Sequence, residues 1–372
     1  MPPDLTPPRR LEVLSSAVQI GANTSGMVAG LSIAADKDGR EHCIVVVKGT
    51  FAIAGDGTTM LADLQEPLVF ADVHHGDPAT TSIRYESDFA PYKPRVDLLV
   101  NGSAYAPRGE AVTQMTVKLS IGACQKELLV TSDRRWICGA LGVRASAPAS
   151  FVTMPLTFDR AFGGRDESRP ERASAELRNL VGRGFLRTSD RDVIEATALP
   201  NIEDPLHPLR GPRDTPQPAG FGVIGRGWRP RVQHAGTYDD RWIADKFPFL
   251  PDDFDPHYFQ AAPIDQQVAA LRGGEPIRCM HMTPAGSLVT AVPQHDMPVQ
   301  FVFRDRNTRV MATLDTLLLE PDRWRMQLTW RASVPLPRKI HALRDVVVGP
   351  QPSKPHFASL GEFVAQRRGG RT

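Results

Sequence analysis

The sequence predicts a mainly β fold: an antiparallel β-sandwich or barrel-like scaffold, a long ordered loop layer rich in Pro, Gly and aromatic residues, and few short helices. Three observations predict it. Residues 11–150 read as one short strand after another, and strand patterns return over 276–350. Between them, 151–275 has almost no strand periodicity, yet it carries too many aromatic side chains for a solvated tether.

The strands are justified one at a time. Cys43–Ile53 is dense in β-branched residues and runs into Gly55-Asp56-Gly57, a tight-turn signal. Val96–Val100 ends at Asn101-Gly102, read as a second turn with positive φ. Met115–Ile121 alternates apolar with polar residues, the pattern of a half-buried strand. In the C-terminal part, Val299–Phe303, Thr308–Leu314 and Arg325–Ala332 are the clearest strands. Asp315–Leu319 continues toward Glu320-Pro321-Asp322, which predicts a closing hairpin.

The central region collects prolines from Pro200 to Pro263 together with Phe158, Phe162, Phe221, Trp228, Trp242 and Phe254. Long irregular stretches of this kind are functional or disordered, and the aromatic content favours an ordered layer. Asp166–Ala175, which lacks aromatics, is the stretch expected to move. Ala262–Arg272, with Pro263 in its first turn, Asp265 at the N-terminal end and Gly273-Gly274 after it, reads as a short helix. Residues 359–367 read as a closing helix in the tail, 351–372. The 276–350 strands are too few to bury two faces alone, so the regions are expected to form one compact unit.

Composition narrows the function classes. Forty-four Lys and Arg offset 42 Asp and Glu to give a net charge of +2, interleaved along the chain, which argues against a nucleic-acid partner. The longest apolar run, Cys43–Val47, is far too short for a membrane span. Met1–Arg10 is Pro-rich and polar, so the reading is a cytoplasmic protein without an export signal. Cys43, Cys124, Cys138 and Cys279 lie far apart and are expected to be reduced thiols. His74-His75 with Asp77 is the nearest approach to a metal cluster, but adjacent strand residues face opposite ways. No metal site and no cofactor are predicted.

Gly163-Gly164 and Gly225-Arg226-Gly227 lack the strand and helix that flank a phosphate loop, and read as positions of unusual backbone. The candidate site residues are polar groups set among aromatics: Asp159 and Arg160 beside Phe158 and Phe162, and Arg226, Trp228, Arg231, Tyr238 and Trp242 in the loop layer. Arginine and large aromatics are the usual anchors of protein interfaces, which points to partner binding. The competing reading makes Trp228 and Trp242 core residues that tie loops to the sheet.

Several ordered motifs add a resemblance. Val46-Val47-Lys48-Gly49-Thr50-Phe51, Asp88–Asp97, Phe158–Gly164, Leu199–Pro205 and Phe259–Gln267 resemble a bacterial domain-of-unknown-function family found beside type VI secretion spike and effector genes. Asn179–Phe185 departs from it by lacking the proline that often precedes the family's Gly-x-Gly-Phe stretch. The resemblance implies an adaptor or chaperone that binds a secreted effector before loading, with the spike protein as a second possible contact. It implies no catalytic residue. The alternatives are a carbohydrate-active or hydrolytic β-sandwich enzyme using Asp159, Asp239 and Asp253, or a structural component of the secretion machine.

Overall fold

The computed structural model describes residues 20–350 apart from 141, 170, 172 and 337–341. Strands of its three larger sheets, in chain order, are β1 (Ile20–Asn23), β2 (Val28–Ala35), β3 (Glu41–Ile53), β4 (Thr59–Leu61), β5 (Val96–Val100), β6 (Gln114–Ile121), β7 (Cys124–Thr131), β8 (Ile202–Glu203), β9 (Gln267–Val268), β10 (Pro276–Met280), β11 (Ser287–Ala291), β12 (Pro298–Phe303), β13 (Asn307–Met311), β14 (Thr313–Glu320), β15 (Arg325–Pro335) and β16 (Leu343–Val348).

A seven-stranded sheet has the order β9-β5-β14-β15-β3-β2, with β4 folded onto β3. A five-stranded sheet runs β8-β7-β6-β10-β11, and a four-stranded sheet β1-β16-β12-β13. Within these three sheets pairing is antiparallel except between β5 and β14 and between β1 and β16. Among the described residues no sheet closes into a barrel, so the architecture is mainly β and sandwich-like. Strands distant in sequence share sheets: β3 pairs with β15, β5 with β14 and β6 with β10.

Alternation decides what each sheet buries. Val45, Val47 and Phe51 of β3 point to one face with Leu98 and Val100 of β5, Leu317 of β14 and Trp330 of β15. They meet Val117, Leu119 and Ile121 of β6, Ile277 of β10, and Phe301 and Val346 of the four-stranded sheet in one continuous core. A strand is specified strongly where one face is buried, because a one-residue slip would turn the whole apolar set outward. The predicted strand over Cys43–Ile53 and the β14–β15 hairpin at Pro321 form as read.

Three local expectations are corrected. Ala262–Arg272 is not a helix: a single 3₁₀ turn, Ile264–Gln266, leads into β9, which pairs with the edge of β5. The Gln266 amide is fully buried and donates to the carbonyls of Leu98 and Phe221, so tertiary hydrogen bonds override the helical cues. Thr308–Leu314 is two strands, because the chain changes sheet at Ala312, whose N–H donates to the Met297 carbonyl. Asn101 and Gly102 do not have positive φ; the Asn101 N–H instead donates to the Leu319 carbonyl and its side chain to that of Arg84. The closing helix over 359–367 lies outside the described residues.

The central region is built of short pieces, including helices α1 (Arg191–Ala196), α2 (Arg229–Val232) and α3 (Asp240–Asp245). Phe158, Phe221 and Trp228 reach from it into the main core. Trp136, Phe162, Phe185 and Leu199 make a second, smaller cluster. Both ends of Asp166–Ala175 are tied, since Arg165–Asp166 pairs with Ser174–Ala175 and the Asp166 carboxylate accepts the N–H groups of Arg187 and Thr188. Gly163 and Gly164 do hold positive φ, and a Cβ on either would press into the Asn179 or Gly182 carbonyl oxygen. Gly225 has another reason: its missing Cβ leaves room for the Trp228 ring. All four cysteines are free, and burial pushes the thiols of Cys43 and Cys279 up to about 11 and about 12.

Candidate functional site

The other face of the seven-stranded sheet is covered by chain and carries buried polar and charged groups among apolar ones such as Ile44, Val46, Leu99 and Leu318. Lys48 of β3 emerges there and donates to the Pro67 carbonyl at 3.0 Å and to Asp88 Oδ2 at 2.9 Å. Lys93 Nζ donates to Asp97 Oδ2 at 2.7 Å and to Thr316 Oγ1 at 3.1 Å. Fully buried Asp97 also accepts Gln260 Nε2 at 2.7 Å and the N–H groups of Ala261 and Ala262 at 2.8 and 3.1 Å. A bulge in β14 presents Asp315, whose carboxylate accepts Arg331 Nε at 2.7 Å. Arg331 Nη1 in turn donates to the Asp88 carbonyl at 2.9 Å.

Glu320 accepts from Tyr85 Oη and Arg325 Nε at 2.6 Å each and from Gln327 Nε2 at 2.8 Å. Burial would raise its carboxyl, but those donors and the Arg325 charge outweigh burial and hold it below the ordinary range. Burial would likewise lower Lys93, yet Asp97, Glu86 and Asp315 hold it above its ordinary value. Ion pairs of this kind stabilise only when their remaining hydrogen-bonding capacity is met. Here it is met largely by the loop layer. The motifs Asp88–Asp97 and Phe259–Gln267 therefore supply fasteners between loop layer and sheet.

Arg231 continues the same network. It is 3% exposed, with Nη2 2.7 Å from Glu86, Nη1 donating to the Ile224 carbonyl and Nε to that of Tyr258. Arg226, more exposed, also pairs with Glu86 at 3.1 Å and with Asp72 at 3.5 Å. Trp228 is 7% exposed and meets the Phe158 ring edge-on at 5.5 Å. Trp228 and Arg231 thus sit inside, where a docking protein would not reach them, and the reading of both as surface anchors is corrected. Burial of the indole and the three-way satisfaction of the guanidinium are the reasons. Half-buried Asp159 accepts Ser82 Oγ at 3.1 Å, and Arg160 donates to Asn201 Oδ1 at 3.2 Å. These two also join loops to one another.

Tyr238 and Trp242 lie elsewhere and outside. Asp239 caps α3 by accepting the Trp242 N–H at 2.9 Å, and the indole Nε1 donates to the Phe249 carbonyl at 2.8 Å. Trp242 then stacks edge-on with Tyr238 at 4.8 Å and Phe247 at 5.6 Å. Around this half-buried ring, Tyr238 is 53%, Ile243 60%, Phe247 66% and Phe249 44% exposed. Sequence reasoning did not single out Ile243, Phe247 and Phe249, the other exposed apolar residues of this segment. For Ile243 a signal was available: adjacent helix residues point about 100° apart, so packing of Trp242 does not by itself bury Ile243.

The acidic candidates for chemistry are engaged in local structure. Asp253 accepts the N–H and Oγ1 of Thr237 at 2.9 and 2.7 Å, and Lys246 pairs with Asp252 at 2.6 Å. The Thr237 donors hold the Asp253 carboxyl below its ordinary range, opposite to what a general acid needs. Beside the aromatic patch, a groove of about 410 Å³ opens between the β2–β3 end of the sheet and the loop 250–259; Ala34, Ile44, Tyr92, Leu250, Phe254 and Phe259 line it.

A family model described as an uncharacterized protein conserved in bacteria (DUF2169) matches residues 38–331. The chain belongs to this family. The matched span runs from the start of β3 into β15, and so contains the buried ion network, the loop layer and the aromatic patch. No curated protein and no solved structure matches the chain. Among the described residues no helix is long and apolar enough to cross a membrane.

Proposed function

We propose that this protein is a cytoplasmic adaptor or chaperone, not an enzyme, that holds a type VI secretion effector and helps load it onto the secretion spike. The observation that carries the reading is the aromatic group of Tyr238, Trp242 and Phe247, with Ile243 and Phe249 also exposed on the same short segment. It stands on a loop layer that buried ion pairs fasten to a rigid sheet. Contiguous exposed apolar side chains are costly in water and mark interaction surfaces. A fixed layer presents them without losing entropy when a partner docks. The secretion context comes from the resemblance of the motifs Asp88–Asp97, Phe158–Gly164 and Phe259–Gln267 to a family encoded beside spike and effector genes.

The test is co-expression of the tagged full chain with the effector encoded beside it. The expected result is a stable complex that survives gel filtration at micromolar concentration. Elution of the two proteins at their separate volumes would contradict the proposal.

A further inference from the structure

Strand β2 ends the seven-stranded sheet, and its sequence, Val-Ala-Gly-Leu-Ser-Ile-Ala-Ala, contains no charge and no proline. Natural sheets protect such edges with charges, prolines, bulges or covering chain. Here, among the described residues, β2 makes backbone hydrogen bonds to β3 alone. Every second residue therefore directs an N–H and a C=O away from the sheet, and an added extended backbone matches that row.

The side chains beside this edge are shaped for the same guest. Gly30, Ser32 and Ala34 pair across from Val46, Ile44 and His42, so they share the covered face; Leu68 and Phe89 fill the space over Gly30, and the open part lies at Ala34. At the Ala34 end lies the apolar groove under Tyr92, Leu250, Phe254 and Phe259. A strand added to β2 would turn alternate side chains into that groove. Asp36 and Asp38 line the groove on either side of Lys37, and the segment 239–255, which supplies its Leu250 wall, carries six aspartates against Arg241 and Lys246 on a chain whose net charge is +2.

We propose that the open edge of β2 and the adjoining groove bind an extended segment of a partner polypeptide, apolar at alternate positions and flanked by Lys or Arg. This rests on the adaptor reading and names the mode of capture: main-chain pairing supplies affinity, the groove supplies selectivity, and the aspartates select basic flanks.

The probe is a fluorescein-labelled peptide of alternating Val and Thr with two Lys at each end, titrated into the full chain by anisotropy. A second peptide carries Glu in place of Lys. The Lys-flanked peptide is expected to bind, the Glu-flanked one several-fold more weakly. Ala34→Trp, which fills the groove, and Leu250→Asp, which makes its wall polar, should each weaken binding at least tenfold with an unchanged thermal midpoint. Hydrogen exchange should show the outward-facing amides of Val28–Ala35 gaining protection only when peptide is added, while those paired with β3 are protected throughout. Equal binding by both variants, equal binding of both peptides, or full protection of β2 in the free protein would overturn the proposal; the last would mean that its own chain or a second copy covers the edge. If these fail while the effector still co-purifies, the β2 site alone falls. If the effector also fails to co-purify, the adaptor reading falls with it.

Discussion

Replacing Asp97 with alanine is expected to lower unfolding free energy by about 3–5 kcal/mol, the usual cost of removing one partner from a buried ion pair. Asp97 is the meeting point of β5, the Lys93 loop and the Gln260–Ala262 segment. Without its carboxylate, a buried ammonium loses its nearest counter-charge and three N–H donors are left without their acceptor. The loop layer should detach before the sheet unfolds, because the main core behind the sheet does not depend on Asp97. Urea denaturation followed by tryptophan fluorescence measures the first effect, and limited proteolysis between 221 and 262 the second. A loss below about 1 kcal/mol would mean that apolar contacts such as Leu99–Val223–Leu318 hold the layer instead.

Trp228→Ala should be comparably costly, about 3–5 kcal/mol, the range found when a large buried aromatic is truncated. The indole fills space against Phe158 under the Gly225 backbone, so truncation leaves a cavity. Its thermal midpoint should fall markedly, and any loss of effector binding should follow from that fall. Arg231→Ala should behave the same way, leaving Glu86 with only Arg226 at close range and Lys93 at 3.9 Å. A variant of either residue with a wild-type midpoint and no effector binding would restore the surface-anchor reading.

The scaffold was legible because its strands announce themselves twice, once by β-branched content and once by alternation. Val117, Leu119 and Ile121 alternate cleanly in β6, and Phe51 and Trp330 mark strands that face one another in pairing order. What was not legible depended on partners distant in sequence. Gln266 is held by carbonyls at 98 and 221, and no local signal says that a run with Pro263 and Asp265 will serve a sheet edge. Ala312 separates two strands because the sheets diverge there, which a continuous apolar run conceals.

The candidate site divided along the same line. Residue type singled out the segment 226–249, but not which of its side chains face out. Arginine and tryptophan are as suited to a satisfied interior as to an interface, and Glu86 and Phe158, which draw Arg231 and Trp228 inward, lie far away in sequence. Tyr238 and Trp242, by contrast, belong to a local unit closed by Asp239, Phe247 and Phe249, so their outward position follows from near neighbours.

The patch on α3 and the following loop is the proposed docking surface for the effector. The most direct measurement is the Ile243→Asp, Phe247→Asp double variant of the full chain, assayed together for thermal midpoint and effector co-purification. Both side chains are mostly exposed, so the midpoint should stay within a degree or two of wild type. Interface anchors contribute about 2 kcal/mol or more each, so binding should weaken by roughly a thousandfold and the effector should disappear from the purified complex. Recovery of the effector at wild-type stoichiometry, with the midpoint unchanged, would contradict the claim.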